Sequence, residues 1–184
     1  MIAPQTGSLL IAEPFLKDPN FMRTVVLICR HAAEEGTFGF TLNKLYHQPL
    51  NELVPGLEGF DLPVYIGGPV QMDTLHYIHQ YPGLFDDCEK VGNDIYWGGD
   101  FEKLKKLIKD GSIDPQHIKF FLGYSGWSSG QLDAEMEEKS WLTVGATERI
   151  VFDTPYGDIW KASLQHLGGK YEMMVHFPTD PQLN

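Results

Sequence analysis

The sequence is poor in cysteine, in basic residues and in long apolar runs, and each shortage excludes a class of protein. Its 184 residues include two cysteines, Cys29 and Cys88, which lie far apart and form neither a CxxC nor a CxxH spacing. A disulfide framework and a structural zinc site are therefore not expected. No apolar run approaches the roughly 18 residues that a membrane span requires, and the N-terminus has no signal-peptide pattern. We expect a cytoplasmic protein without a membrane anchor.

Basic residues are outnumbered by acidic ones, 14 against 25, so the formal net charge is -11. A surface of this charge repels phosphate backbones, because nonspecific affinity for nucleic acid comes from cations that displace counterions. One cluster of four lysines, at residues 103–109, lies on a predicted helix beside an apolar stripe and is interpreted as a solvated face. We expect no direct binding to nucleic acid, and instead a protein or small-molecule partner.

What the sequence does contain is a series of short β-branched segments with helical patterns scattered after them. Strands are predicted at residues 8–12, 24–30, 37–43, 64–66, 75–80, 94–97, 117–122, 141–144 and 150–152. Helices are predicted at residues 49–54, 100–111, 131–139 and 155–167. The regular βα alternation of a parallel sheet is absent. We therefore predict a single compact α+β domain over residues 1–184, with a mostly antiparallel sheet, or flattened barrel or sandwich, flanked by helices.

A possible nucleophile lies between the strand at 117–122 and the helix at 131–139, where residues 126–130 match G-x-S-x-G. In α/β-hydrolases this turn exposes a serine, and Asp153 and two histidines follow here in the order of that fold. The fold, however, needs several parallel strands before the turn, and glycine also serves any tight reversal of the chain. We predict no catalytic residue; a hydrolase using Ser125 or Ser128 is the alternative.

A pair of glycines and a pair of histidines are weak evidence for a phosphate-binding loop and a metal site. The pair Gly67 and Gly68 lacks the spacing of a phosphate-binding loop, so a tight turn or a close backbone approach explains it more simply. His76 and His79 point to opposite faces of a predicted strand and have no matching carboxylate pattern. We therefore predict neither a metal nor a cofactor.

Arg23 is a candidate for anion binding. It follows the turn residues Asp18 and Asn20, and its planar guanidinium is suited to capture a phosphate or a carboxylate. The alternative is an internal ion pair between Arg23 and a nearby carboxylate such as Asp18.

Four segments, in order and spacing, together resemble the AlgH-like (YqgE) family over residues 7–168. They read GSLLIA from Gly7 with DPNF and RTVV, GFTLN from Gly39, GGPV from Gly67, and GY, GW and GQL from Gly123 with WL at Trp141. The resemblance implies a compact bacterial domain with a flattened antiparallel barrel or sandwich edged by helices. It also implies a suggested role in transcriptional regulation, without a DNA-binding motif or established catalytic residues.

This chain departs from the family pattern at two places. It has Asn43-Lys44-Leu45 where the family usually has Asn-Arg-Pro, so we expect a guanidinium contact to be lost there. It has Ser128 where the family commonly has glycine, which weakens the hypothesis of a serine nucleophile.

Small, polar and aromatic residues recur at these turns, and loops on a rigid sheet usually carry function. We therefore predict a non-catalytic binding or regulatory module. The predicted ligand or partner surface comprises Asp18, Asn20, Arg23, Asn43, Gly67, Gly68, Tyr124, Trp127 and Gln131. The alternative is that the same residues fix turns and pack the ends of the barrel.

Overall fold

The strands of the computed structural model, which describes residues 1–32 and 34–178, form one curled sheet. They are β1 (Ser8–Ala12), β2 (Val25–Ala32), β3 (Gly36–Thr41), β4 (Val64–Ile66), β5 (Val70–His79), β6 (Glu89–Gly92), β7 (Ile95–Trp97), β8 (Ile118–Trp127) and β9 (Trp141–Gly145). Their order across the sheet is β6-β7-β5-β8-β3-β2-β1-β9, and every neighbouring pair in that order is antiparallel. Strand β4 pairs with β8 in parallel. The predicted α+β class with a mostly antiparallel sheet is confirmed.

Helices cover both faces of this sheet. They are α1 (Leu50–Leu53), α2 (Phe101–Lys109), α3 (Gln131–Glu137) and α4 (Ile159–Leu167), with shorter 3₁₀ turns at Pro115–His117 and Tyr156–Asp158 and a longer one at Gly169–His176. As predicted, the Asp100 side chain caps α2 by accepting a hydrogen bond from the Lys103 N–H at 3.1 Å. None of the helices in the described residues has the length and apolar character that a membrane crossing requires.

Strand β1 is buried on both faces, which explains its unbroken apolar sequence. Leu9 and Ile11 join the core cluster that contains Trp160 of α4, whereas Leu10 and Ala12 join the cluster that contains Leu132 of α3. Successive side chains of a strand point to opposite faces, so the run serves two separate cores. A third cluster lies where α1 and α2 cover β5 and β8, around Leu50, Leu104, Ile108 and Phe120.

Two local predictions were wrong, and one strand was missed. Residues 150–152, predicted as a strand, lie in the short π-helix Arg149–Asp153, because a brief buried apolar run does not reveal its own period. Strand β6 was not predicted. Residues 123–127, predicted as a turn, are the second half of β8, because β3 supplies a ladder partner there that pairs Gly39 with Ser125.

Candidate functional site

The nine predicted residues are not gathered on one concave surface: five of them divide over two depressions. The tryptophan depression has a volume of about 280 Å³ and is lined by Leu16, Asp18, Phe21, Gly126, Trp127, Gln131, Glu135, Glu138, Ser140 and Trp141. The lysine depression has a volume of about 310 Å³ and is lined by Asn20, Thr41, Lys44, Ile66, Gly68, Pro69 and Met72. Both include residues of the loop that carries Asp18 and Asn20. Four predicted residues line neither depression: Arg23, Asn43, Gly67 and Tyr124.

The floor of the tryptophan depression is a trio of aromatic rings. Phe21 stacks on Trp127 with ring centres 5.9 Å apart and meets Trp141 edge-on at 5.4 Å. The two indoles meet each other edge-on at 5.8 Å. Because Trp127 ends β8 and Trp141 begins β9, the sheet holds the two indoles, and the Phe21 loop closes over them.

Glu135 of α3 fixes both indoles through one carboxylate oxygen. Its Oε2 accepts hydrogen bonds from Trp127 Nε1 at 2.9 Å and from Trp141 Nε1 at 2.7 Å, while its Oε1 accepts one from Gln131 Nε2 at 3.0 Å. Glu135 is half-buried, although it lies in the acidic run of α3 between Asp133 and Glu138. The available signal was its spacing from Leu132, because residues three apart share a helix face.

Lys44 is the central cation of the lysine depression, and the loop carbonyls already engage it. Its ammonium donates to the carbonyl oxygens of Pro19 at 2.8 Å and of Asn20 at 2.5 Å. Burial lowers the pKa of Lys44. The side chain at this departure from the family pattern therefore holds the Asn20 loop in place with an ammonium.

Gly67 and Gly68 let one stretch of backbone pass close to another. A Cβ on Gly68 would lie 2.2 Å from the carbonyl group of Tyr124, and one on Gly67 would lie 2.4 Å from the carbonyl oxygen of Gly123. The two glycines therefore allow residues 67–68 to pack closely against β8. This agrees with the interpretation of the glycine pair as a close approach of two backbone segments. The Tyr124 ring packs on Phe38, with centres 4.8 Å apart.

Asn43 and Arg23 form a unit outside both depressions. The Asn43 side chain accepts from the Val25 N–H and donates to the Arg23 carbonyl oxygen, each at 2.9 Å. The Arg23 guanidinium lies 4.8 Å above the ring of Trp160. The suggested ion pair with Asp18 is wrong: the Asp18 carboxylate accepts from the Asn20 N–H at 2.8 Å, and no carboxylate of the described residues pairs with Arg23.

Neither candidate serine has the geometry of an activated nucleophile. The Ser125 hydroxyl is fully buried and donates to the Gly67 carbonyl oxygen at 2.9 Å. The Ser128 hydroxyl donates to the Gln131 side-chain oxygen at 3.3 Å. A serine nucleophile requires a base within hydrogen-bond reach, and no histidine of residues 1–32 and 34–178 bonds either hydroxyl. The geometry therefore argues against the hydrolase alternative.

The histidine pair lies as expected for a strand. His76 is on one face beside Phe40, and His79 is on the other beside Phe85. Burial lowers the pKa of both imidazoles. Across the part of the chain that the structure describes, no group of three or more histidine, cysteine or carboxylate side chains is placed to hold a metal ion.

Comparisons with known proteins agree on one family. The AlgH-like family model matches residues 9–172. The chain is 42% identical over 178 residues to a UPF0301 protein of Chlorobium limicola, which covers 97% of this chain and 95% of that one. It is 44% identical to a UPF0301 protein of Chlorobaculum tepidum over the same shares of the two chains.

Two solved structures have the same fold. The solution structure of the AlgH protein from Pseudomonas aeruginosa superposes with a TM-score of 0.75 at 28% identity, covering 97% of both chains. The crystal structure of protein DIP2367 from Corynebacterium diphtheriae superposes with a TM-score of 0.78, covering 96% of this chain and 94% of that one. At 23% identity, the second likeness concerns the fold alone.

Proposed function

The chain belongs to the AlgH-like family, and we propose that it acts as a non-catalytic binding module whose tryptophan depression takes a cationic side chain of a protein partner. The observation that carries the proposal is the lining of this depression, in which an aromatic floor lies among carboxylates. Three residues of the predicted surface, Asp18, Trp127 and Gln131, contribute to it.

The chemistry of the lining favours a lysine or arginine side chain. Asp18, Glu135 and Glu138 supply negative charge, and no lysine or arginine of the described residues lines the depression. An aromatic face attracts a cation, and Phe21 is the partly exposed ring of the trio, since both indoles are buried. The aliphatic stem of a long basic side chain packs well on apolar surface. A net charge of -11 further favours a basic partner, because charge complementarity steers association.

The size of the depression suits a single long side chain. Its volume of about 280 Å³ lies at the lower end of the about 300–1,000 Å³ that ligand pockets enclose. The regulatory role that the family resemblance suggests is then exercised through a protein partner, since the charge of the chain opposes direct contact with DNA.

The indole N–H signals offer a direct test. The chain has four tryptophans, so a ¹H–¹⁵N spectrum gives four indole signals, which single Trp→Phe variants assign. We expect N-acetyl-arginine amide to shift the signals of Trp127 and Trp141 saturably and to leave those of Trp97 and Trp160 in place. The uncharged analogue N-acetyl-citrulline amide is the matched ligand control, and equal shifts with it would contradict the proposal.

Variants that remove single carboxylates test whether the tryptophan depression is the binding site. Asp18→Asn and Glu138→Gln each remove one carboxylate from the lining, and we expect each to weaken the binding of N-acetyl-arginine amide about two- to fivefold, as for exposed charge pairs. Glu137→Gln makes the same charge change at a neighbouring exposed position outside the lining, so its affinity should match that of the unmodified chain. If Glu137→Gln weakens binding as much as Glu138→Gln, the effect belongs to net charge and the depression is not the site.

A further inference from the structure

We infer that one edge of the Arg23 guanidinium is a binding site for a carboxylate, and that the C-terminal segment occupies this edge as a displaceable strap. The strap comprises the 3₁₀ helix Gly169–His176 and Phe177. This site is separate from the tryptophan depression, whose lining does not include Arg23, and it does not depend on the proposed function.

Of the two donors on one edge of the Arg23 guanidinium, Nη2 and Nε, only Nη2 has a hydrogen-bond partner within the described part of the chain. Its Nη2 donates to the Phe177 carbonyl oxygen at 2.5 Å, whereas its Nε is buried and has no hydrogen-bond partner among the described residues. Nε and Nη2 lie on the same edge of the guanidinium, where a carboxylate accepts both N–H groups in parallel. The Phe177 carbonyl offers a single oxygen and leaves the second donor unsatisfied, which makes it an incomplete substitute for a carboxylate.

Arg23 also lacks an ionic partner, and a second arginine shows the contrast. Arg30 pairs with Glu89 at 2.7 Å. Within residues 1–32 and 34–178, Arg23 has no carboxylate within 4.0 Å, although its Nε is removed from water. Burying a cationic donor without a partner is unfavourable. An incoming carboxylate would supply both the missing charge and the missing acceptor.

The surroundings hold the guanidinium in one orientation. The backbone of Arg23 has φ +52°, a left-handed conformation that costs free energy in a non-glycine residue, and the Asn43 side chain ties it down through the Arg23 carbonyl oxygen. The guanidinium packs on Trp160, whose own Nε1 donates to the Ala12 carbonyl oxygen at 2.9 Å. Residues of β1, of α4 and of the loop after β3 therefore present the Arg23 edge to the strap.

The strap packs on the core cluster of Trp160 through the partly buried side chains of Tyr171, Met174 and Val175. No residue of Gly169–His176 is fully buried. At the end of the strap, the Phe177 ring stacks on Phe15 with centres 5.6 Å apart, and the two residues remain 37% and 36% exposed. A segment without fully buried side chains opens at a lower free-energy cost than the core does. The strap is therefore placed to compete with a carboxylate for Arg23 and to regulate its access.

The test follows the Nε–H signals of the three arginines, Arg23, Arg30 and Arg149, in a ¹⁵N-labelled chain titrated with sodium acetate. Arg23→Lys assigns the Arg23 signal and, because it keeps the charge but loses the planar edge, is the binding-deficient control. Phe177→Ala removes the stack that anchors the strap. We expect acetate to shift the Arg23 signal saturably, with an apparent affinity about tenfold higher in Phe177→Ala, since an occluded site binds in proportion to its open fraction.

Matched controls separate binding from other effects. Met173→Ala alters an exposed strap residue and should leave the affinity for acetate unchanged. Sodium chloride at equal ionic strength should produce no saturable shift. If Phe177→Ala does not fold, Phe15→Ala removes the same stack from the other side. The inference is overturned if neither variant gains affinity, if Met173→Ala gains as much, or if inorganic phosphate binds Arg23 more tightly than acetate.

Discussion

At the scale of single residues, Lys119 is the clearest case of an ionisable group in an unfavourable environment, because its amine is buried without a hydrogen-bond partner among the described residues. Its side chain is 7% exposed, its Nζ has no hydrogen-bond partner among the described residues, and its nearest compensation is the face of Tyr65 at 5.0 Å. Burial lowers the pKa of Lys119 to about 8. Since the unfolded chain keeps an ordinary lysine pKa of about 10.4, the folded state is penalised wherever that amine must be protonated.

Replacing Lys119 should therefore stabilise the protein. Between about pH 8 and pH 10.4 the unfolded state binds more protons at this residue than the folded state, so its contribution to the free energy of unfolding rises with pH. Below pH 8 the penalty is complete. We expect Lys119→Met, which keeps the apolar stem, to raise the free energy of unfolding by about 1–3 kcal/mol at pH 7. Urea denaturation measures this difference.

The pH dependence of that gain tests its cause. The advantage of Lys119→Met over the unmodified chain should shrink as pH rises from about 8 to 10.4, because folding then deprotonates the amine and the cost of that deprotonation falls as pH approaches the unfolded pKa. Lys103→Met, at an exposed position of α2, should show no such gain. A stabilisation of Lys119→Met that stays constant across this range would assign the effect to packing rather than to the buried charge.

At the scale of elements, Glu135 attaches α3 to the ends of β8 and β9. Removing its carboxylate leaves the indole N–H groups of Trp127 and Trp141 without their acceptor, and each unsatisfied buried donor costs about 1–3 kcal/mol. We expect Glu135→Ala to lower the free energy of unfolding by about 2–4 kcal/mol. Glu135→Gln, which keeps one acceptor oxygen, should cost less.

The control for this prediction lies two residues further along the helix. Glu137 is exposed, so Glu137→Ala should change the free energy of unfolding by less than about 0.5 kcal/mol. Denaturation curves give both values, and the two indole N–H signals should move in Glu135→Ala alone. Equal costs for the two alanine variants would show that helix charge, not the indole contact, stabilises α3.

The sequence predicts elements well where turn residues lie on both sides of a single short apolar segment. Residues 8–12 and 64–66 form strands with the predicted limits, and Asp100 caps α2 as expected. The sequence predicts elements poorly where pairing with a strand distant in sequence decides whether a segment becomes a strand. Residues 123–127 carry two glycines and read as a turn, yet β3 draws them into the sheet.

The same distinction applies to the candidate site. Asp18 is recognisable because it lies in a turn, and Trp127 and Gln131 because they lie at the limits of elements; all three line the tryptophan depression. Phe21, Trp141 and Glu135 are not singled out, because their roles arise from contacts between segments distant in sequence. Lys119 and the strap over Arg23 give no local pattern at all.

At the scale of the whole molecule, the net charge predicts the class of partner. With a net charge of -11, the chain gains little from releasing the counterions of DNA, and this release supplies most nonspecific affinity. We expect no retardation of double-stranded DNA in a gel-shift assay at about 50 mM salt, where phosphate contacts are strong. Retardation that Lys106→Glu and Lys109→Glu together abolish would locate a basic patch on α2 and contradict this prediction. Retardation that survives those changes would place the DNA contact elsewhere on the chain and would also contradict the prediction. DNA is negatively charged, so neither kind of retardation is compatible with a partner chosen for its positive charge.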